Sequence, residues 1–109
     1  MIQAGARYRI VFVTCGSIAE AQRIGRSAVE QKLAACANIL PGVDSIYRWK
    51  RKVERAREAL LLLKTTAARL RQLEMEVKRL HSYEVPEFVV VPIAVGSREY
   101  LTWLEESVR

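Results

Sequence analysis

The order of elements in this chain predicts an α+β protein, a β-α-β-β-α-β sandwich with an extra C-terminal helix. Three observations carry that prediction. Apolar runs at Tyr8–Cys15, Ala59–Leu63 and Phe88–Val95 are short or β-branched, which suits strands. Between them lie segments whose apolar residues recur at helical spacing, one after Ser17 and one after Thr66. No repeat, linker or low-complexity tract interrupts the sequence. Residues 1–109 therefore read as one domain, with 1–6 flexible.

The elements follow in order. "YRIVFVTC" (Tyr8 to Cys15) is a buried strand, broken by Gly16. Ser17 and Glu20 then have capping-box spacing and open a helix to about Leu33, with Ala21, Ile24, Ala28 and Leu33 toward the core. In the apolar run "LAACANIL", Cys36 reads as a small buried residue. Pro41-Gly42 punctuates that run, and from Val43 to Val53 the pattern alternates. Ser45, Tyr47 and Trp49 fall on one face, and Ile46, Arg48 and Lys50 on the other. A long strand, bent or bulged at Pro41-Gly42, is the simplest account.

Val53 to His81 has helical propensity throughout, yet Leu60–Leu63 would put leucine all round a helix. Thr65-Thr66 then supplies a β-branched break. The segment divides into a strand over about Glu58–Thr65 and a helix over about Ala67–Leu80, where Leu70, Leu73, Val77 and Leu80 share a face. "VPEFVVVPIAV" (Val85 to Val95) is too rich in valine for a helix, and its prolines fit an edge or bulged strand. A last helix starts near Ser97 and carries Tyr100, Leu101, Trp103 and Leu104. Two βαβ-type halves joined by a hairpin make a ferredoxin-like sandwich with both main helices on one face.

Composition narrows the function classes. Half the residues are apolar and 28% are charged, an ordinary globular balance. No apolar stretch approaches the ~20 residues of a membrane span, and no signal-peptide pattern opens the chain, so no membrane partner and a cytoplasmic location are expected. The two cysteines, Cys15 and Cys36, form no CxxC pair and no disulfide scaffold. The net charge is +6, with basic residues bunched in "YRWKRKVERAR". Glu54 and Glu58 dilute that cluster, which favours a solvated hairpin over a nucleic-acid surface.

Few residues carry chemistry. His81 is the only histidine, and it reads as a metal ligand, a catalytic base, or the polar residue that ends a helix. Glu84 and Glu87 could pair with it for acid–base work, but no nucleophile–base arrangement and no GxGxxG, P-loop or HExxH accompanies them. No enzyme is expected. Tyr47, Trp49, Tyr83, Tyr100 and Trp103 are amphipathic aromatics of the kind that anchor interfaces, Tyr47 and Trp49 foremost. The long strand around them exposes backbone edges that a closed oligomer would satisfy.

"VTC" before a capped helix, "KLAACANILPGVDSIYRW", "LLLLKTT", "LHSYEVPEFVVVPI" and "YLTWL" together resemble the CutA family of divalent-ion tolerance proteins, from about Arg9 to Ser107. The resemblance implies a ferredoxin-like protomer, similar in shape to the PII signalling proteins. It also implies a homotrimer whose sheets pack around a three-fold axis, and a link to copper or another divalent cation. Carried over to this chain, the copper positions are Cys15 and His81, with a third ligand from Glu84, Glu87, water or a neighbouring subunit. The chain departs from the family pattern at Ser82, at Leu80 and at Arg51, which stands where the hairpin usually has glycine. The likeness to PII proteins implies an alternative, a regulatory trimer holding an anionic metabolite or nucleotide at subunit clefts. Lys64, Arg48 or Lys50 would supply the charge there, beside Tyr83 and Glu87.

Overall fold

A computed structural model describes residues 1–109, which form β1 (Ile2–Ala4), β2 (Tyr8–Cys15), α1 (Ile18–Glu30), β3 (Cys36–Trp49), β4 (Lys52–Thr66), α2 (Leu70–Leu80), β5 (Val89–Pro92), β6 (Val95–Ser97) and α3 (Arg98–Ser107). A single 3-10 turn, Ala67–Arg69, leads into α2. The main sheet has the order β3-β4-β2-β5, antiparallel throughout. That is the ferredoxin-like arrangement. No helix is long and apolar enough to cross a membrane.

Ser17 caps α1 by accepting the Glu20 N–H at 3.1 Å, and Ser97 caps α3 by accepting that of Tyr100. α1 and α2 cover one face of the sheet, burying Val11, Val13 and Cys15 of β2 and Ala59, Leu61 and Leu63 of β4 against Ile24, Ala28, Leu73 and Val77. A smaller cluster, Tyr8, Ala35, Leu101, Leu104 and Val108, fixes α3. Ile2–Ala4, within the stretch expected to be flexible, pairs with Val95–Ser97 as a second, two-stranded sheet.

The opposite face of the main sheet carries α3 at one end only, against Tyr8, Cys36 and Lys64, and no helix covers the rest. Strand register sets Phe12 and Asn38 on either side of Leu62, with Val89 beyond Phe12. Leu40 lies opposite Leu60, and Ile10 opposite Val91. Ile10, Phe12, Leu60 and Leu62 are only half-buried, while Leu40, Val89 and Val91 are exposed. The four leucines are thus a strand with apolar side chains on both faces, the pattern of a sheet meant to be covered twice.

Several boundaries differ from the sequence reading. β4 begins at Lys52, six residues before the expected Glu58, because β3 and β4 continue as a polar two-stranded arm beyond the core. This arm stretches the molecule to 46 Å against 24 and 22 Å in the other directions. Val53 belongs to β4, since the chain reverses at Lys50-Arg51, both in the left-handed region with φ of 49° and 71°. That is the geometry of a tight hairpin turn usually built from Asn-Gly. The expected irregularity at Pro41-Gly42 is present as a register shift between Leu40 and Val43. α1 ends at Glu30 rather than Leu33, and the Val85–Val95 strand is the shorter β5 followed by β6. Cys36, expected in the core, is half-buried, because its side chain lies on the face away from α1 and α2, at the margin of α3 beside Tyr100.

Candidate metal cluster and adjoining cleft

β2 ends at Cys15, α1 starts beside it, and α2 ends at His81, so three chain termini of regular structure meet at one point. The Cys15 sulfur, a Glu20 carboxylate oxygen and a His81 ring nitrogen lie within 4.8 Å of one another. The Cys15 residue and the His81 side chain are fully buried. Glu20 is 5% exposed.

Each group in this cluster already has partners. His81 Nε2 lies 2.7 Å from the Thr14 carbonyl oxygen, which can only accept, so Nε2 carries the proton. Nδ1 then accepts the Tyr83 N–H at 3.1 Å and stands 4.0 Å from Glu20 Oε2. Glu20 accepts the N–H of Gly16 at 3.1 Å and of Ser82 at 2.7 Å. Burial alone would raise the Glu20 carboxyl, but the hydrogen bonds from Ser82 and Gly16 hold it below the usual range. Burial pushes the Cys15 thiol up to about 12, reinforced by the Glu20 and Glu58 carboxylates.

Sulfur, imidazole and carboxylate are a donor set suited to zinc or copper. Metal–ligand bonds of ~2.0–2.3 Å would require the three donors to draw together by about 1 Å. Glu84, expected as a third ligand, is exposed in the neighbouring cleft, and Glu20 occupies the place beside sulfur and imidazole. The sequence disclosed Glu20 only as a helix cap, because its second partner, Ser82, lies 62 residues away.

The adjoining cleft, about 680 Å³, is lined by Thr14, Ser45, Ile46, Tyr47, Trp49 and Glu58 of the sheet and by Tyr83, Glu84, Val85, Pro86 and Glu87 of the loop after α2. Tyr83 is the wall between cleft and cluster. Its ring packs 4.7 Å from that of His81, and its hydroxyl donates to Glu58 Oε2 at 2.7 Å. Burial and then the Glu58 carboxylate raise the Tyr83 hydroxyl strongly.

Within one chain, the residues expected to hold an anion between subunits do not share one cleft. Tyr83 and Glu87 line the cleft, but Arg48 and Lys64 do not. Arg48 is exposed on the arm, where the alternation of β3 turns it away from Tyr47 and Trp49. Lys64 lies further along β4, donating to the Tyr100 hydroxyl at 3.4 Å. Glu58, which the sequence reading passed over, is the most buried carboxylate of the cleft lining.

Comparison with known proteins agrees with this architecture. Residues 9–107 match the family described as "CutA1 divalent ion tolerance protein". A divalent-cation tolerance protein CutA of Thermus thermophilus is 50% identical over 98 residues, spanning 90% of this chain and 95% of that protein. A chloroplastic CutA of Arabidopsis thaliana is 42% identical over 92% of this chain, which spans 55% of that longer protein. The solved structure of CutA from Synechococcus elongatus superposes with a TM-score of 0.95 at 33% identity, covering 100% of this chain and 96% of that one. The chain belongs to the CutA1 divalent ion tolerance family.

Proposed function

We propose that this chain serves divalent-cation tolerance by binding rather than catalysis, holding copper or a related cation at Cys15, Glu20 and His81 within a cytoplasmic homotrimer. The supporting observation is the convergence of sulfur, carboxylate and imidazole within 4.8 Å in a buried pocket. Among first-row divalent ions, such mixed donors favour copper most strongly. Cys15 would ligate as thiolate after releasing its proton. His81 Nδ1, the nitrogen that faces Glu20, would exchange the Tyr83 N–H for the ion. Assembly is supported by the bare apolar face of the main sheet and by the unpaired outer edge of β3, both of which a closed ring covers.

Calorimetric titration with Cu(II) and Zn(II) of wild type, Cys15→Ser, Glu20→Gln and His81→Ala tests the ligand set. Binding should be lost or strongly weakened in each variant, with circular dichroism separating loss of ligand from loss of fold. Identical isotherms in all four proteins would sink it.

A further inference from the structure

The chain between α2 and β5 lies over the cluster of Cys15, Glu20 and His81, yet little holds it down. Residues 82–87 make no backbone–backbone hydrogen bond. The segment is fastened instead through side chains. The Ser82 N–H donates to Glu20 Oε2 at 2.7 Å, the Tyr83 N–H to His81 Nδ1 at 3.1 Å, and the Tyr83 hydroxyl to Glu58 Oε2 at 2.7 Å. Two of those acceptors belong to the cluster itself. Tyr83 also forms the cover. Its ring packs 4.7 Å from that of His81, and its hydroxyl lies over Gly16, the residue after Cys15, where a Cβ would come within 3.4 Å of it. Beneath this cover Cys15 and the His81 side chain are fully buried, so a cation reaches them only when a covering element moves. An exposed segment without ladder hydrogen bonds is the element that opens at least cost.

From this we infer that residues 82–87 are a latch over the cluster, fastened by the ligand groups themselves and released when those groups turn to a cation. The inference rests on the metal reading of Cys15, Glu20 and His81. Its core is an exclusion at one atom. A neutral imidazole offers a single acceptor nitrogen, and Nε2 carries the proton, directed at the Thr14 carbonyl oxygen. Nδ1 is therefore the acceptor, and it cannot serve the Tyr83 N–H and a cation together. Glu20 Oε2, which stands 4.0 Å from Nδ1, is the same oxygen that holds Ser82. Drawing these groups onto a common centre loosens both backbone anchors at once. What remains is the Tyr83 hydroxyl on Glu58, a single bond at the end of a side chain. Loading the buried cluster thus alters the molecule at its surface, in a segment whose Ser82, Tyr83, Glu84, Val85 and Glu87 are all exposed. Metal sites ordinarily tighten the chain around them; this one loosens it.

Zinc(II) is titrated into the full-length protein, with calorimetry and amide hydrogen exchange by ¹H–¹⁵N NMR on the same samples. Exchange of the Tyr83 amide should quicken at least tenfold at zinc saturation, and that of Ser82 severalfold, while the amides of α1 and α2 keep their protection. Cys15→Ser, which removes a ligand, should abolish this response. His81→Phe without zinc keeps a ring against Tyr83 but deletes the Nδ1 acceptor, and should by itself quicken Tyr83 exchange to a similar degree. Zinc heat accompanied by unchanged or increased Tyr83 protection overturns the latch and leaves the metal reading standing. Slow Tyr83 exchange in folded His81→Phe overturns it without reference to any metal. Absence of zinc heat in the wild type overturns the ligand set, and the latch with it.

Discussion

Glu76 offers a quantitative test of how the two helices are held. It lies on α2 at 9% exposure and accepts hydrogen bonds from Ser27 Oγ and Gln31 Nε2 of the α1 end. Arg79 donates to both of its oxygens, at 2.9 and 2.7 Å. The Arg79 guanidinium first, then Ser27 and Gln31, lower this carboxyl from 4.5 to about 2 against the opposing effect of burial. At 1.36 kcal/mol per pH unit the full difference is ~3.4 kcal/mol of folded-state stabilisation. The Arg79 side chain is 63% exposed, so water screens its share, and about 1.5–2 kcal/mol is expected. Because the folded-state value is depressed, this stability is fully present above about pH 4.5 and is lost as pH falls toward 2.

Glu76→Gln should therefore be less stable than wild type by about 1.5–2 kcal/mol at pH 7, with the gap closing near pH 2. Guanidinium unfolding followed by circular dichroism, at one fixed chain concentration, measures both. A gap of equal size at pH 7 and pH 2 would refute the charge-based account. So would the absence of a gap at pH 7.

Two further substitutions test other parts of the molecule. Arg51→Gly removes a side chain from a left-handed position and should raise stability by about 0.5–1 kcal/mol, read as a higher unfolding midpoint. Leu62→Glu places a charge in the centre of the bare sheet face, where burial without a partner costs ~3–5 kcal/mol. Light scattering should then report single chains with unchanged far-ultraviolet dichroism, and a mass equal to wild type would remove the support for assembly through this face.

The elements legible in the sequence were those whose local pattern agrees with their tertiary setting. Leu60–Leu63 followed by Thr65-Thr66 identified β4 because no helix tolerates leucine all round, and Ser17 and Ser97 announced their helices as caps. The outer arm was obscured because Glu54, Arg55 and Arg57 are solvated on both faces, leaving no apolar alternation to read. Its turn was obscured because Lys50-Arg51 adopts the conformation of a glycine turn without glycine. In the candidate site, Cys15 and His81 were legible as singular residues. Glu20 joins them only through the meeting of α1 with the chain after α2, a contact between residues far apart in sequence. The acidic character of the cleft was likewise hidden, since Glu58 comes from β4 and Glu84 and Glu87 from a distant loop.

The leucine run has a consequence for the life of the newly made chain. A single copy can fold its helices over Leu61 and Leu63 but has nothing to lay over Leu60 and Leu62. In the proposed assembly other copies cover that side; before they do, the chain is a finished fold with an adhesive face, at risk of joining the wrong neighbour. Dilution of that assembly would act as a mild denaturant, and its melting temperature should climb with concentration.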